Sequence, residues 1–201
     1  MRGCTLKYLF LDTATTNLVV AIVIDNEIRY LKQEICKQSM SEKLMPIIDE
    51  AFKSTNIQID ELDKIFVTNG PGSFTGIRIG LTFAKTLAWT LNIPVVPISS
   101  LEVMASKKAS MALIDARRGY VFAGGYNDDL KAIYDDKYIK LDEINTDLPF
   151  VSYDELDVDT CIPEIDVLKI IKKHENEKGV NSHSLNPIYL KQTEAEEKLN
   201  D

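Results

Sequence analysis

At 201 residues, 45% hydrophobic and 27% charged, the chain has the composition of one globular domain or two small ones with a core of their own. Its net charge of −8 comes from the second half: residues 1–100 hold 10 Lys and Arg against 10 Asp and Glu, whereas residues 101–201 hold 13 against 21. Proteins that grip nucleic acid alone present a basic stripe, because phosphate neutralisation supplies most of the affinity; none is evident here, so any RNA contact is expected to depend on a partner.

No stretch has the 18 or more apolar residues of a membrane span, and "MRGCTLKYLFLDTATT" does not read as a secretory leader; a cytoplasmic location without membrane contact is expected. Cys4, Cys36 and Cys161 are odd in number, widely separated and without CxxC spacing, which argues against a disulfide framework or a zinc site.

The first segment, "KYLFLDTATTNLVVAIVIDNEIRYLKQEI", holds three runs rich in β-branched residues separated by "DTATTN" and "DNE", the pattern of an antiparallel meander. Next, Met40, Leu44, Ile47, Ile48, Ala51 and Phe52 follow one helical face, with Ser41 as the expected cap and Pro46 near the first turn. "DKIFVTNG" reads as a buried strand, "GPGSFTG" as a loop, "IRIGLTFAKTLAWTLN" as a helix and "VVPIS" as a strand, which together predict a parallel crossover joined to the meander. After Ser99 a short helix, several strands and a helix in "EIDVLKIIKKHENEK" are predicted. The final "QTEAEEKLND" is polar and expected to fray. The predicted division runs between an N-terminal subdomain, 1–98, and a smaller, acidic C-terminal one, 99–201.

The glycine loop fails as a Walker site, since Gly76 is followed by Ile77 and Arg78 rather than Lys and a hydroxyl. It also fails the dinucleotide pattern, with Thr75 where the third glycine belongs. A tight turn capped by Ser73 or Thr75 is the favoured reading over a phosphate cradle. His174 and His183 lie in polar sequence and are read as solvated; neither has metal or nucleophile spacing. Arg117 and Arg118 of "DARRGY" are an anion-site candidate or a solvated rim.

The helix after the loop is apolar on nearly every side and carries small residues every four positions, Gly76, Gly80, Ala84 and Ala88. Such a helix is either wholly buried in its own chain or shared with a partner. On the second reading the candidate interface is Met40, Leu44 and Ile48 on the first helix with Ile77, Gly80, Leu81, Ala84 and Ala88 on the second.

"LDTATTNLVVAIV", "SEKLMPIIDEAF", "VTNGPGSFTGIRIGLTFAKTLAWTLNIPVVPISSLEVMA" and "NPIYLKQTEAEEK" resemble the TsaB family, the dimerisation subunit of the bacterial complex that forms threonylcarbamoyladenosine in tRNA. The resemblance implies an α/β, actin-like (ribonuclease H-like) ATPase-type fold with two mixed-sheet subdomains, the second trimmed. It also implies a subunit without catalysis of its own that pairs with catalytic TsaD, meets the ATPase TsaE through the complex, and forms a homodimer when alone. In the related ATPases the first hairpin wraps phosphate through a glycine. Ala14 stands there, which leaves Asp12, Thr13 and Thr15 as weak vestigial candidates and implies no tightly bound cofactor, with ATP or ADP weak at most. Met40 replaces a histidine common in the family and adds apolar surface. The rival readings are a stand-alone ATPase or phosphotransferase of the same fold with Asp12 organising a metal, and a peptidase, for which no paired histidine site is present.

Overall fold

The computed structural model describes residues 5–36 and 39–191; Cys4 and the polar "QTEAEEKLND" end lie outside them. The expected meander forms as β1 (Lys7–Asp12), β2 (Asn17–Ile24) and β3 (Glu27–Ile35), all antiparallel. Asp25 and Asn26 turn β2 into β3 with positive φ, the conformation that a two-residue hairpin demands and that Asp and Asn tolerate. After α1 (Met40–Thr55), the crossover runs through β4 (Lys64–Gly70), α2 (Phe74–Leu91) and β5 (Val95–Ser99). Both β1–β4 and β4–β5 pair in parallel, giving a mixed sheet in the order β3-β2-β1-β4-β5.

Helix α1 starts one residue before its predicted cap, with Ser39 at the N-cap position and Pro46 inside. Helix α2 is capped as expected: Gly76 N–H donates to Ser73 Oγ at 3.2 Å. A second mixed sheet follows a short α3 (Ser100–Met104). It comprises β6 (Ser110–Asp115), β7 (Tyr120–Tyr126), β8 (Ala132–Lys140) and β9 (Phe150–Val151), in the order β8-β7-β6-β9.

The inner strands β1, β2 and β4 read as continuous apolar runs because both faces are covered, whereas the edge strand β3 is largely exposed. Leu9, Leu11, Val20, Ile22, Ile65 and Val67 point to α1 and α2. Their alternating neighbours, including Phe10, Val19, Ala21 and Phe66, point to α4 (Val167–His174), which buries Val167, Ile170 and Ile171 against them. The chain therefore returns to the first sheet after completing the second. Leu185 is a further return, buried in the α1–α2 side of the core. Among the described residues no helix is long and apolar enough to cross a membrane.

Candidate functional site

The turn after β1 and the glycine loop before α2 meet at the carboxyl ends of the parallel strands, where ligands of open α/β sheets sit. Here the two segments bind each other. Ser73 N–H donates to the Ala14 carbonyl at 2.7 Å, and Thr13 Oγ1 donates to the Gly76 carbonyl at 2.7 Å. The spacing leaves no room for a Cβ: one added at Gly72 would stand 2.2 Å from the Ala14 oxygen, and one at Gly80 would stand 2.4 Å from Thr13 Oγ1. Gly72 also has φ +150, so the backbone as well as the close approach calls for glycine.

Asp12, the last residue of β1, is completely buried. Its Oδ1 accepts from Ala14 N–H at 2.9 Å and from Thr68 Oγ1 at 2.8 Å, while Oδ2 is buried with no hydrogen-bond partner. Burial pushes the carboxyl up to about 6, against the smaller downward pull of the Ala14 and Thr68 hydrogen bonds. Thr15 Oγ1 accepts from Asn17 N–H at 3.1 Å, closing the turn. All three vestigial candidates thus make structural hydrogen bonds: Thr15 within the turn, Asp12 within the turn and to β4, and Thr13 to the start of α2. In front of them lies a cleft of about 660 Å³ between the start of α1, the start of α2 and the β6–β7 hairpin. Arg117 lines it; Arg117 and Arg118 form the hairpin tip with φ 68 and 58. No group of three His, Cys, Asp or Glu that could hold a metal ion occurs among the described residues.

The helical candidates are placed differently from the expectation. Leu44, Ile48, Ile77, Leu81, Ala84 and Ala88 are all buried in the chain's own core, and Gly80 is seated on Thr13. The stripe of small residues faces inward because α2 must lie close to the turn after β1. Only Met40 is partly exposed, at the mouth of the cleft. The face that α2 presents to solvent comprises Phe74, Arg78, Thr82, Thr86 and Trp89, with Ile79 and Phe83 half-buried beside it and Met45 exposed on α1. A groove of about 630 Å³ runs between the two helices, walled by Met45, Phe74, Arg78, Ile79 and Phe83 among others.

One rim of that groove is built by residues the sequence did not point to. Ile188 N–H donates to the Asn69 carbonyl at 2.7 Å, laying the late segment across the end of β4. Tyr189 then stacks on Phe74 with ring centroids 5.4 Å apart and its hydroxyl oxygen accepts from Arg78 Nε at 3.1 Å. The Arg78 guanidinium lies 3.8 Å from the centroid of Phe74. The sequence reading leaves Phe74 in the loop, whereas α2 begins at it and so sets it one turn before Arg78 on the same face; Tyr189 carried no local signal.

The solvated reading of His174 is overturned. Its ring is buried between two acids, Nε2 at 2.6 Å from Glu102 Oε1 and Nδ1 at 2.5 Å from Glu177 Oε1, while Lys173 Nζ reaches Glu102 at 3.0 Å. Burial disfavours the imidazolium, but the hydrogen bond and charge of Glu102, followed by those of Glu177, outweigh it and raise the ring above the usual histidine value. The Glu102 carboxylate comes from α3, far away in sequence, and a helix as amphipathic as α4 turns His174 toward it. His183 is exposed, as expected.

Residues 19–157 match the family model described as "TsaD: tRNA N6-adenosine threonylcarbamoyltransferase". The Bacillus subtilis protein named "tRNA threonylcarbamoyladenosine biosynthesis protein TsaB" is 37% identical over 123 residues, covering 59% of this chain and 54% of that protein. The Escherichia coli protein of the same name is 29% identical over 136 residues, 64% of this chain and 58% of that protein. The chain thus spans about half the length of the curated relatives it matches. A solved structure, "YeaZ from Pseudomonas aeruginosa", superposes with a TM-score of 0.80 at 22% identity, over 92% of this chain and all of that one, and shows the shared fold. The two mixed sheets with their helices are the expected actin-like, ribonuclease H-like α/β fold. With a family model matched over more than half of its length and these relatives beside it, the chain belongs to the TsaD family and, within it, to the TsaB proteins.

Proposed function

We propose that the chain is a non-catalytic partner subunit in the formation of threonylcarbamoyladenosine in tRNA, at the adenosine next to the anticodon. On this reading it pairs with and activates a TsaD-type catalytic subunit and pairs with itself when alone. It meets a TsaE-type ATPase and tRNA through the complex, and binds ATP or ADP weakly at most. The names of the curated relatives supply the pathway. The observation that carries the role is the α1–α2 groove, an apolar surface that no described residue covers and whose walls include Met45, Phe74, Ile79 and Phe83. A monomer gains nothing by keeping such residues wet, whereas a helical partner buries them.

The contact between the first turn and the glycine loop supports the same reading. The Ser73 amide and the Ala14 carbonyl satisfy each other where a phosphate-binding relative would turn its amides outward. Asp12 spends one oxygen on its own turn and keeps the other out of solvent. The test is reconstitution: tRNA modification by a TsaD-type subunit, a TsaE-type ATPase and threonylcarbamoyl adenylate, with and without this chain. Dependence on the chain is expected. Nucleotide titration of the isolated chain separates the rival ATPase reading, since micromolar binding with magnesium-dependent turnover overturns the proposal.

A further inference from the structure

We infer that Arg78, clamped by Phe74 and Tyr189, selects the occupant of the α1–α2 groove: a different protein whose apolar helical surface carries a carboxylate opposite Arg78, in preference to a second copy of this chain. The inference rests on the proposal that this groove is the docking surface and adds the kind of partner that it fits.

Arg78 is exposed, and its position is fixed on two sides. The ring of Phe74 lies 3.8 Å from its guanidinium, and the Tyr189 hydroxyl takes its Nε hydrogen at 3.1 Å. A stacked and tethered guanidinium has already given up much of its rotamer freedom, which is the condition under which its remaining donors bind a planar carboxylate best. No carboxylate meets its terminal nitrogens among the described residues. Closing an apolar partner over the groove would strip water from this cation, and an unpaired buried charge is strongly unfavourable, so a fitting occupant must bring the acid with it.

Among the described residues, a second copy brings none to this patch. Helix α2, "FTGIRIGLTFAKTLAWTL", holds Arg78 and Lys85 and no acid, and none of the groove walls is a carboxylate. A two-fold dimer places the same patch against itself, so the cations of one α2 would meet neutral or positive groups of the other. The acids of α1 lie outside the groove walls, and one of them, Asp49, is bonded to Lys53 at 2.6 Å. Tyr189 acts here as a positioning residue, holding Arg78 rather than touching the partner's acid.

The test measures two affinities for each variant: binding to the catalytic subunit proposed above, and self-association by sedimentation equilibrium. Arg78→Met keeps the length and apolar stem of the side chain and removes the charge. It is expected to weaken the heterologous complex by about tenfold or more, the scale of a lost charge pair at an interface, and to tighten self-association by about threefold. Opposite signs are the signature. The wild-type complex should also lose affinity with added salt more steeply than the Arg78→Met complex. Tyr189→Phe keeps the ring stack but removes the hydroxyl acceptor; it should weaken the heterologous complex several-fold with the thermal unfolding midpoint unchanged. Equal losses in both affinities, or no change in either, overturn the selectivity of Arg78 while leaving the docking groove in place. Failure of the wild-type chain to bind the catalytic subunit overturns the docking proposal and this inference together.

Discussion

The buried carboxyl of Asp12 makes a quantitative statement about stability. Its folded value of about 6 stands above the 3.8 of an ordinary aspartate, so the folded state holds the proton more tightly than the unfolded chain does. Stability then falls as pH rises: the penalty is absent well below the ordinary value, grows through the interval, and is complete above about 6. At about 1.4 kcal/mol per pH unit of displacement, the full penalty is about 3 kcal/mol. Asp12→Asn removes the ionisation and retains the oxygen that Ala14 and Thr68 use, at the cost of an unpartnered buried amide, about 1–3 kcal/mol at every pH. The constant cost drops out when the difference between variant and wild type is followed with pH. Urea unfolding of both proteins from about pH 4.5 to about pH 7.5 should show the variant gaining about 2 kcal/mol relative to wild type across that range. A difference that stays flat would show that Oδ2 has a partner or that the carboxyl titrates normally, and would refute the reasoning.

Gly80→Leu is expected to destabilise the chain by several kcal/mol, about 3 or more, as read by thermal unfolding, rather than only to block association, because its side chain would enter the space held by Thr13. His174 works in the opposite sense to a depressed group: its raised value means that the clasp with Glu102 and Glu177 stabilises fully below the ordinary histidine value and is lost as pH rises through the folded one. Wild type should therefore lose its advantage over His174→Gln as denaturation is followed from about pH 6 upward. Ile170→Ala, which opens a cavity between α4 and the first sheet, should cost about 2–5 kcal/mol in chemical denaturation.

The alternation and turn chemistry of the first hundred residues sufficed for the meander, the crossover and the Ser73 cap, because each depends on neighbours within a few positions. The orientation of α2 did not follow from its sequence. A helix that is apolar nearly all round has no preferred side, and what decides is the fit of Gly76 and Gly80 beneath Thr13, more than sixty residues earlier. The same gap explains His174 and α4: the pattern of "VLKIIKKH" marks an apolar face but not which sheet it covers, and the acids that hold the imidazole come from α3 and from beyond the helix end. Tyr189 reached the groove rim by a return of the chain that no local signal announces.

The grip between the first turn and the glycine loop runs in part from main chain to main chain, through the Ser73 amide and the Ala14 oxygen. Such a bond uses no side chain of its own, provided that Gly72 beside it stays without a Cβ. Replacing Ala14 by the glycine of a nucleotide-binding relative would therefore leave this bond in place. To regain a guest there, the two strands' ends would have to part, and α2 would lose the ledge on which it sits.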